Sequence, residues 1–128
     1  MIEVTCALIL KDDKMLLTQR SESMSHPLRW EFPGGKIQDG ESPENCIKRE
    51  ISEELHIEIT LERMLPSVIY DYGLNKIKLT PFICSMDTDQ IMLEQHKAYV
   101  WISKDEIEEY DLLEADIEVI NSLYDQRL

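Results

Sequence analysis

Between Gly35 and Ile57 the chain reads GKIQDGESPENCIKREISEELHI. This stretch limits the possible structures more than any other. Ser42 suits a helix N-cap and Pro43 the first helical position, and Glu44 then sits in the first turn, where the helix dipole favours an anion. Ile47, Ile51 and Leu55 recur every fourth residue and predict an amphipathic helix over 43–55. On that helix Glu50, Glu53 and Glu54 stand at i, i+3 and i+4, on one face. Counted at 100° per residue, Glu54 lies beside the apolar stripe, Glu50 next and Glu53 furthest out. Like charges at this spacing repel by a few tenths of a kcal/mol per pair, roughly, even on an exposed helix. A chain tolerates them when something positive sits among them, and a hard divalent cation with oxygen ligands fits. Arg49, four residues before Glu53, can pair with it and fix its orientation.

The stretch resembles the signature of the Nudix hydrolases, G-x5-E-x7-R-E-U-x-E-E-x-G-U, with U a bulky aliphatic residue. Gly35, Glu41, Arg49, Glu50, Ile51, Glu53, Glu54 and Ile57 match it. His56 departs, standing where the family has glycine. That glycine ends the helix in a left-handed conformation, which costs roughly 1 kcal/mol for another residue, so a different helix ending is expected at His56. Outside the signature, Trp30-Glu31-Phe32-Pro33-Gly34-Gly35-Lys36, Tyr99-Val100-Trp101 and Leu113-Glu114-Ala115-Asp116-Ile117 are similar to the MutT-like branch. Members of that branch are described as CTP pyrophosphohydrolases or oxidised-nucleotide hydrolases.

The resemblance implies an α/β (α+β) Nudix fold, a mixed β-sheet sandwiched between helices. It implies hydrolysis of nucleoside triphosphates to monophosphate and pyrophosphate with Mg²⁺, or Mn²⁺ in its place. Glu50, Glu53 and Glu54 would hold the metal, joined by the backbone carbonyl of Gly34 and by Glu41, with Arg49, Glu50 and Glu53 as the catalytic set. Such ions neutralise phosphate oxygens and lower the pKa of bound water. The nucleophile is expected to be water, since no Ser or Cys stands in a triad context. Arg20 and Lys36 are candidates for phosphate contacts by charge and position. Each has a plainer reading, as a strand-end arginine and a solvated loop lysine. Asp116 either reads an amine edge of the base or caps the last helix. Phe32 or Tyr70 either stacks on the base or belongs to the core. Glu94 falls either in the metal site or in solvent. His26 and His96 are either donors or bases or, more plainly, surface residues. A hydrolase of another nucleoside diphosphate-linked compound, or a noncatalytic Nudix-fold binding domain, would carry the same fold. The three clustered glutamates argue for catalysis.

The chain of 128 residues is expected to form a single domain over 1–128. With 26 acidic and 13 basic residues its formal net charge is −13, which opposes nucleic-acid polymers and anionic membranes. A small polyphosphate is not excluded, because bound cations reverse the local field. No stretch approaches the roughly 20 apolar residues of a membrane span, and the N-terminus lacks a signal-peptide layout. Cys6, Cys46 and Cys84 lack metal-ligand spacing and read as reduced core thiols of a cytoplasmic protein, monomer or homodimer.

Elsewhere, alternation predicts a half-buried strand over residues 2–10, a turn at Lys11–Lys14 and a partner strand over 15–20. A polar loop over 21–29 follows, then an extended Trp30-Glu31-Phe32. Strands are expected over 57–70, 76–86 and 98–102. Ser103 caps a short helix, and a last helix over 116–127 turns Ile117, Ile120, Leu123 and Tyr124 inward.

Overall fold

Apolar residues at every position from Cys6 to Ile9 put the first strand at the centre of the molecule. A computed structural model, which describes residues 1–87 and 90–125, shows why both faces of that strand are apolar. Strand β1 (Ile2–Lys11) runs parallel to β7 (Lys76–Met86), with Ile2 opposite Ile77 and Ile9 opposite Cys84. Its other edge pairs antiparallel with β4 (Gly34–Lys36), and its end forms a hairpin with β2 (Lys14–Gln19). Strand β2 continues the sheet to β3 (Trp30–Glu31) and β8 (Ala98–Ile102). Strands β5 (Ile59–Met64) and β6 (Val68–Asp71) both pair antiparallel with β7. The result is one mixed eight-stranded sheet.

A helix covers each face. Helix α1 (Pro43–Leu55) buries Ile47, Ile51 and Leu55 against Ala7, Ile9, Leu16 and Phe82. Helix α2 (Glu114–Asp125) buries Ala115, Val119 and Ile120 against Cys6, Leu8, Met15 and Leu17. Successive residues of β1 thus feed opposite cores, and the strand is buried on both sides rather than one. Each fully buried Ile or Leu of α1 contributes about 1.5–3 kcal/mol, against tenths for the repulsion among its glutamates. The sandwich of sheet and helices agrees with the α+β expectation.

Two local expectations need correction. The strand over 57–70 is two strands, because Pro66 has no N–H for the ladder, and the chain bends there with Leu65 N donating to the Pro81 carbonyl at 2.9 Å. The last helix begins at Glu114 and is rotated so that Ile117 is 41% exposed. Ala115, Asp116 and Val119 turn inward with Ile120, and Leu123 and Tyr124 pack against the same core as expected; the Asp116 carboxylate accepts the Phe32 N–H at 2.8 Å and fixes the rotation. Its expected end at residue 127 lies outside the described residues. Gly34–Lys36 forms a short strand on β1.

His56 does not change the helix ending. It adopts the left-handed conformation itself, φ 55 and ψ 39, and its N–H reaches the Ser52 carbonyl at 3.1 Å. Histidine is among the residues enriched in this region after glycine. Ser103 caps a 3-10 helix over Lys104–Glu109, with its N–H donating to Glu106 Oε1 at 2.9 Å. The three cysteines are free and buried. Among the described residues, no helix is long and apolar enough to cross a membrane.

Candidate active site

The start of α1 is fixed by Ser42, whose Oγ accepts the Asn45 N–H at 3.1 Å. This brings Glu41 level with the middle of the helix across a cap turn, where Arg49 gathers the acidic side chains. Arg49 Nε and Nη2 donate to the two oxygens of Glu41 at 2.7 and 2.9 Å. Nη1 donates to Glu50 Oε1 at 3.0 Å and Glu53 Oε1 at 2.8 Å, and Nη2 also reaches the Lys36 carbonyl at 3.2 Å. The expected Arg49–Glu53 pair is present, and one guanidinium offsets three carboxylates. Hydrogen bonding from Arg49, chiefly, pulls the Glu41 carboxyl down to about 2.

Glu54 stands outside this arrangement. Like Glu50, and unlike the exposed Glu53, it is half-buried. Burial first, then the nearby charges of Glu31 and Glu50, push its carboxyl up to about 9. Its Oε2 is buried without a hydrogen-bond partner. An acceptor left unpaired in that way is costly, and it suits a cation. No three Asp, Glu, His or Cys side chains among the described residues gather as a ready cation cage. The reason is visible at Arg49, which holds Glu50 and Glu53. The donor set itself is hard, anionic and oxygen-rich, the kind that Mg²⁺ or Mn²⁺ takes.

The glycines before the helix allow this crowding. A Cβ on Gly35 would collide with the Glu50 carboxylate, and one on Gly34 with the Thr5 carbonyl of β1. Beyond them opens a cleft of about 480 Å³. Gly34, Glu54, Lys36, Arg20, Phe32 and Asp116 all border it. From α1 only Glu54 reaches the lining; Glu41, Arg49, Glu50 and Glu53 stand behind Gly35, off the cleft.

Asp116 is 5% exposed, and burial and the charge of Glu31 raise its carboxyl well above the usual range. It lies inside α2 and its Oδ2 is taken by Phe32 N–H, so the capping reading is withdrawn. Phe32 is itself core, 3% exposed, with an edge on the cleft. Lys36 is exposed at the rim. Arg20 is not free: Nη1 donates to both oxygens of Glu31 at 3.0 and 3.1 Å, and Nε and Nη2 to the carbonyl and hydroxyl of Ser25 at 2.6 and 3.0 Å. Glu94 falls outside the cleft lining and pairs with His56 at 3.2 Å, both half-exposed or more.

Sequence reasoning missed three neighbours. Tyr72, not Tyr70, borders the cleft. Its hydroxyl accepts the Ala115 N–H at 2.9 Å and its ring meets His26 at 5.3 Å. Burial chiefly pushes its phenol up to about 12. Glu31, only 16% exposed at the side chain, and His96, at 5%, are paired at 2.9 Å. His96 is thus buried rather than a surface residue. Glu31 had one signal, an acid directly before Phe32-Pro33-Gly34. His96 had none, because the irregular segment before β8 conceals its direction.

Known proteins resemble this chain over nearly its whole length. A profile described as NUDIX domain matches residues 1–123. The CTP pyrophosphohydrolase of Escherichia coli (strain K12) is 34% identical over 122 residues, covering 95% of this chain and 90% of that protein. The 8-oxo-dGTP diphosphatase of Buchnera aphidicola subsp. Schizaphis graminum is 28% identical over 120 residues, covering 94% and 91%. Among solved structures, a MutT protein from Methanosarcina mazei Go1 superposes with a TM-score of 0.86 at 26% identity, over 98% of this chain and 94% of that one. The profile match and the relatives place the chain in the Nudix hydrolase family.

Proposed function

We propose that residues 1–128 form a single catalytic unit that hydrolyses nucleoside triphosphates, modified or oxidised ones included, to nucleoside monophosphate and pyrophosphate. The reading rests most on the buried, unpartnered oxygen of Glu54 at the head of the cleft. A carboxylate there needs a cation, and Nudix hydrolases work with a divalent metal. Glu50, Glu53 and Glu54, with Glu41 and the Gly34 carbonyl, are the groups to hold Mg²⁺, or Mn²⁺. When bound, such an ion neutralises phosphate oxygens and makes water more acidic.

This chain's own residues do the rest. Arg49 holds Glu41, Glu50 and Glu53 in orientation and offsets their charge. Glu50 or Glu53, with Arg49 beside it, accepts the proton of the attacking water. Lys36 at the rim offers a charge to the outer phosphates. Arg20 does so only through donors that Glu31 and Ser25 leave open. Asp116 reads the base edge while its Oδ2 holds Phe32 N–H, and Phe32 forms the wall against the base. The relatives acting on CTP and on 8-oxo-dGTP, by their names, make pyrimidine and oxidised purine triphosphates the first substrates to try. Three buried reduced cysteines suit the cytoplasm. The protein acts there as a monomer or homodimer on a small nucleotide, not on a nucleic-acid polymer or a membrane.

Glu53→Gln and Glu54→Gln test the assignment. Each removes a charged oxygen and keeps the shape. Turnover with Mg²⁺ should fall by about a hundredfold or more, on the scale of electrostatic catalytic groups, with the fold retained by circular dichroism. Near-normal turnover in both variants would refute the metal site.

A further inference from the structure

The segment between the last long strand and β8 has no helix or strand of its own from residue 90 to residue 97, yet it is tied at both ends. Met92 N donates to the Leu55 carbonyl at 3.0 Å, and Glu94 N to the Glu54 carbonyl at 3.2 Å. These carbonyls belong to the last turn of α1, which has no intrahelical donors left for them. At the far end, Lys97 N donates to the Gln19 carbonyl of β2 at 2.9 Å. Ile91 and Leu93 pack onto the α1-side core. The segment is a strap from the end of the acidic helix to the wall of the cleft.

His96 is its one deeply buried polar side chain among the described residues. Nε2 meets Glu31 Oε2 at 2.9 Å, and the same carboxylate receives Arg20, which grips Ser25 in the loop over residues 21–29. Nδ1 is buried with no partner. A core imidazole kept for packing alone has no need of a carboxylate on one side and an orphan nitrogen on the other. A polar chain therefore runs from the Glu54 backbone through the strap to His96, Glu31, Arg20 and the loop.

We propose that His96 is a positioning residue for the reaction: it fixes Glu31, and through it Arg20 and the loop at residues 21–29, in register with the end of the helix that carries Glu54. It touches neither the reacting phosphate nor a metal. The functional half of this inference rests on the cleft being the nucleotide site.

Two variants separate positioning from packing. His96→Phe keeps a ring and removes both nitrogens, and His96→Gln returns an amide that can donate to Glu31. Hydrogen exchange of the amides over residues 20–29, measured without nucleotide, should quicken at least about tenfold in His96→Phe and return to within about threefold of wild type in His96→Gln. Turnover of a nucleoside triphosphate should follow the same order, with KM raised about tenfold or more in His96→Phe and restored in His96→Gln. Unchanged exchange in a folded His96→Phe, or His96→Gln failing as badly as His96→Phe, would overturn the proposal. A wild-type protein that hydrolyses no nucleotide, with the exchange pattern as expected, would instead sink the nucleotide reading and leave the strap standing.

Discussion

At Glu54, burial and two neighbouring acids work in the same direction, and the pH dependence follows from that. Its ordinary value of 4.5 rises to about 9 in the folded protein. The native state therefore holds a proton that the unfolded chain releases, and metal-free stability is greatest below about 4.5 and declines as pH rises toward 9. In the proposed metal site a divalent cation would replace that proton, so added Mg²⁺ should raise the thermal midpoint most at the alkaline end. Glu54→Gln should flatten both trends. Parallel curves for wild type and variant would contradict the burial of an unpaired carboxyl. Glu41 acts oppositely: held down to about 2 by Arg49, it contributes stability above its ordinary value of 4.5 that is lost as pH falls through 2. Asp116 supplies a second test. Asp116→Ala leaves the Phe32 N–H unpaired and should cost about 1–3 kcal/mol in stability. Asp116→Asn keeps an acceptor for that N–H and adds a donor. Its stability should hold while the ranking of triphosphates by kcat/KM shifts toward bases presenting acceptors. An unchanged ranking would remove Asp116 from base recognition.

Helix α1 and the turn before it show how an element can be stable and costly at once. The Ile47, Ile51, Leu55 stripe and the Ser42 cap hold the helix, while His56 takes a conformation that glycine takes freely. His56→Gly should therefore stabilise the protein by up to about 1 kcal/mol. The lost pair with Glu94 is exposed and adds little to the balance, about 0–1 kcal/mol. A lower thermal midpoint for His56→Gly would show that the pair outweighs the strain. The two glycines of β4 should respond differently to alanine. At Gly35 the obstructing group is the Glu50 side chain, which can swing. Turnover should then fall far more than stability. At Gly34 it is the backbone of β1, so Gly34→Ala should lower the thermal midpoint as well. Equal losses of stability in both variants would argue against this division.

Across the whole molecule, the parts legible in the sequence were those set by local periodicity. The acidic helix, its cap and the outward place of Glu53 relative to Glu50 and Glu54 all follow from counting residues around one helix. The alternation in β1 gave the strand but not its burial on both faces, because a second covering helix is a long-range fact. The same limit hid the rotation of α2: Ile117 is apolar but outward, and the contact that decides it joins Asp116 to Phe32, 84 positions apart. Glu31, Tyr72 and His96 reach the cleft from a short strand, a turn and an irregular strap, where no period exists to read. The charge of −13 adds a consequence at this scale. The acidic surface repels a polyphosphate, and the divalent cation must overcome that repulsion as well as serve the chemistry. The central claim, metal-dependent cleavage that releases pyrophosphate, is tested most directly by incubating the protein with a panel of nucleoside triphosphates, with and without Mg²⁺, and assaying pyrophosphate and orthophosphate separately. Mg²⁺-dependent pyrophosphate is expected in equal amount to nucleoside monophosphate, with no orthophosphate. Release of orthophosphate with nucleoside diphosphate, or pyrophosphate formed equally well without divalent metal, would contradict it.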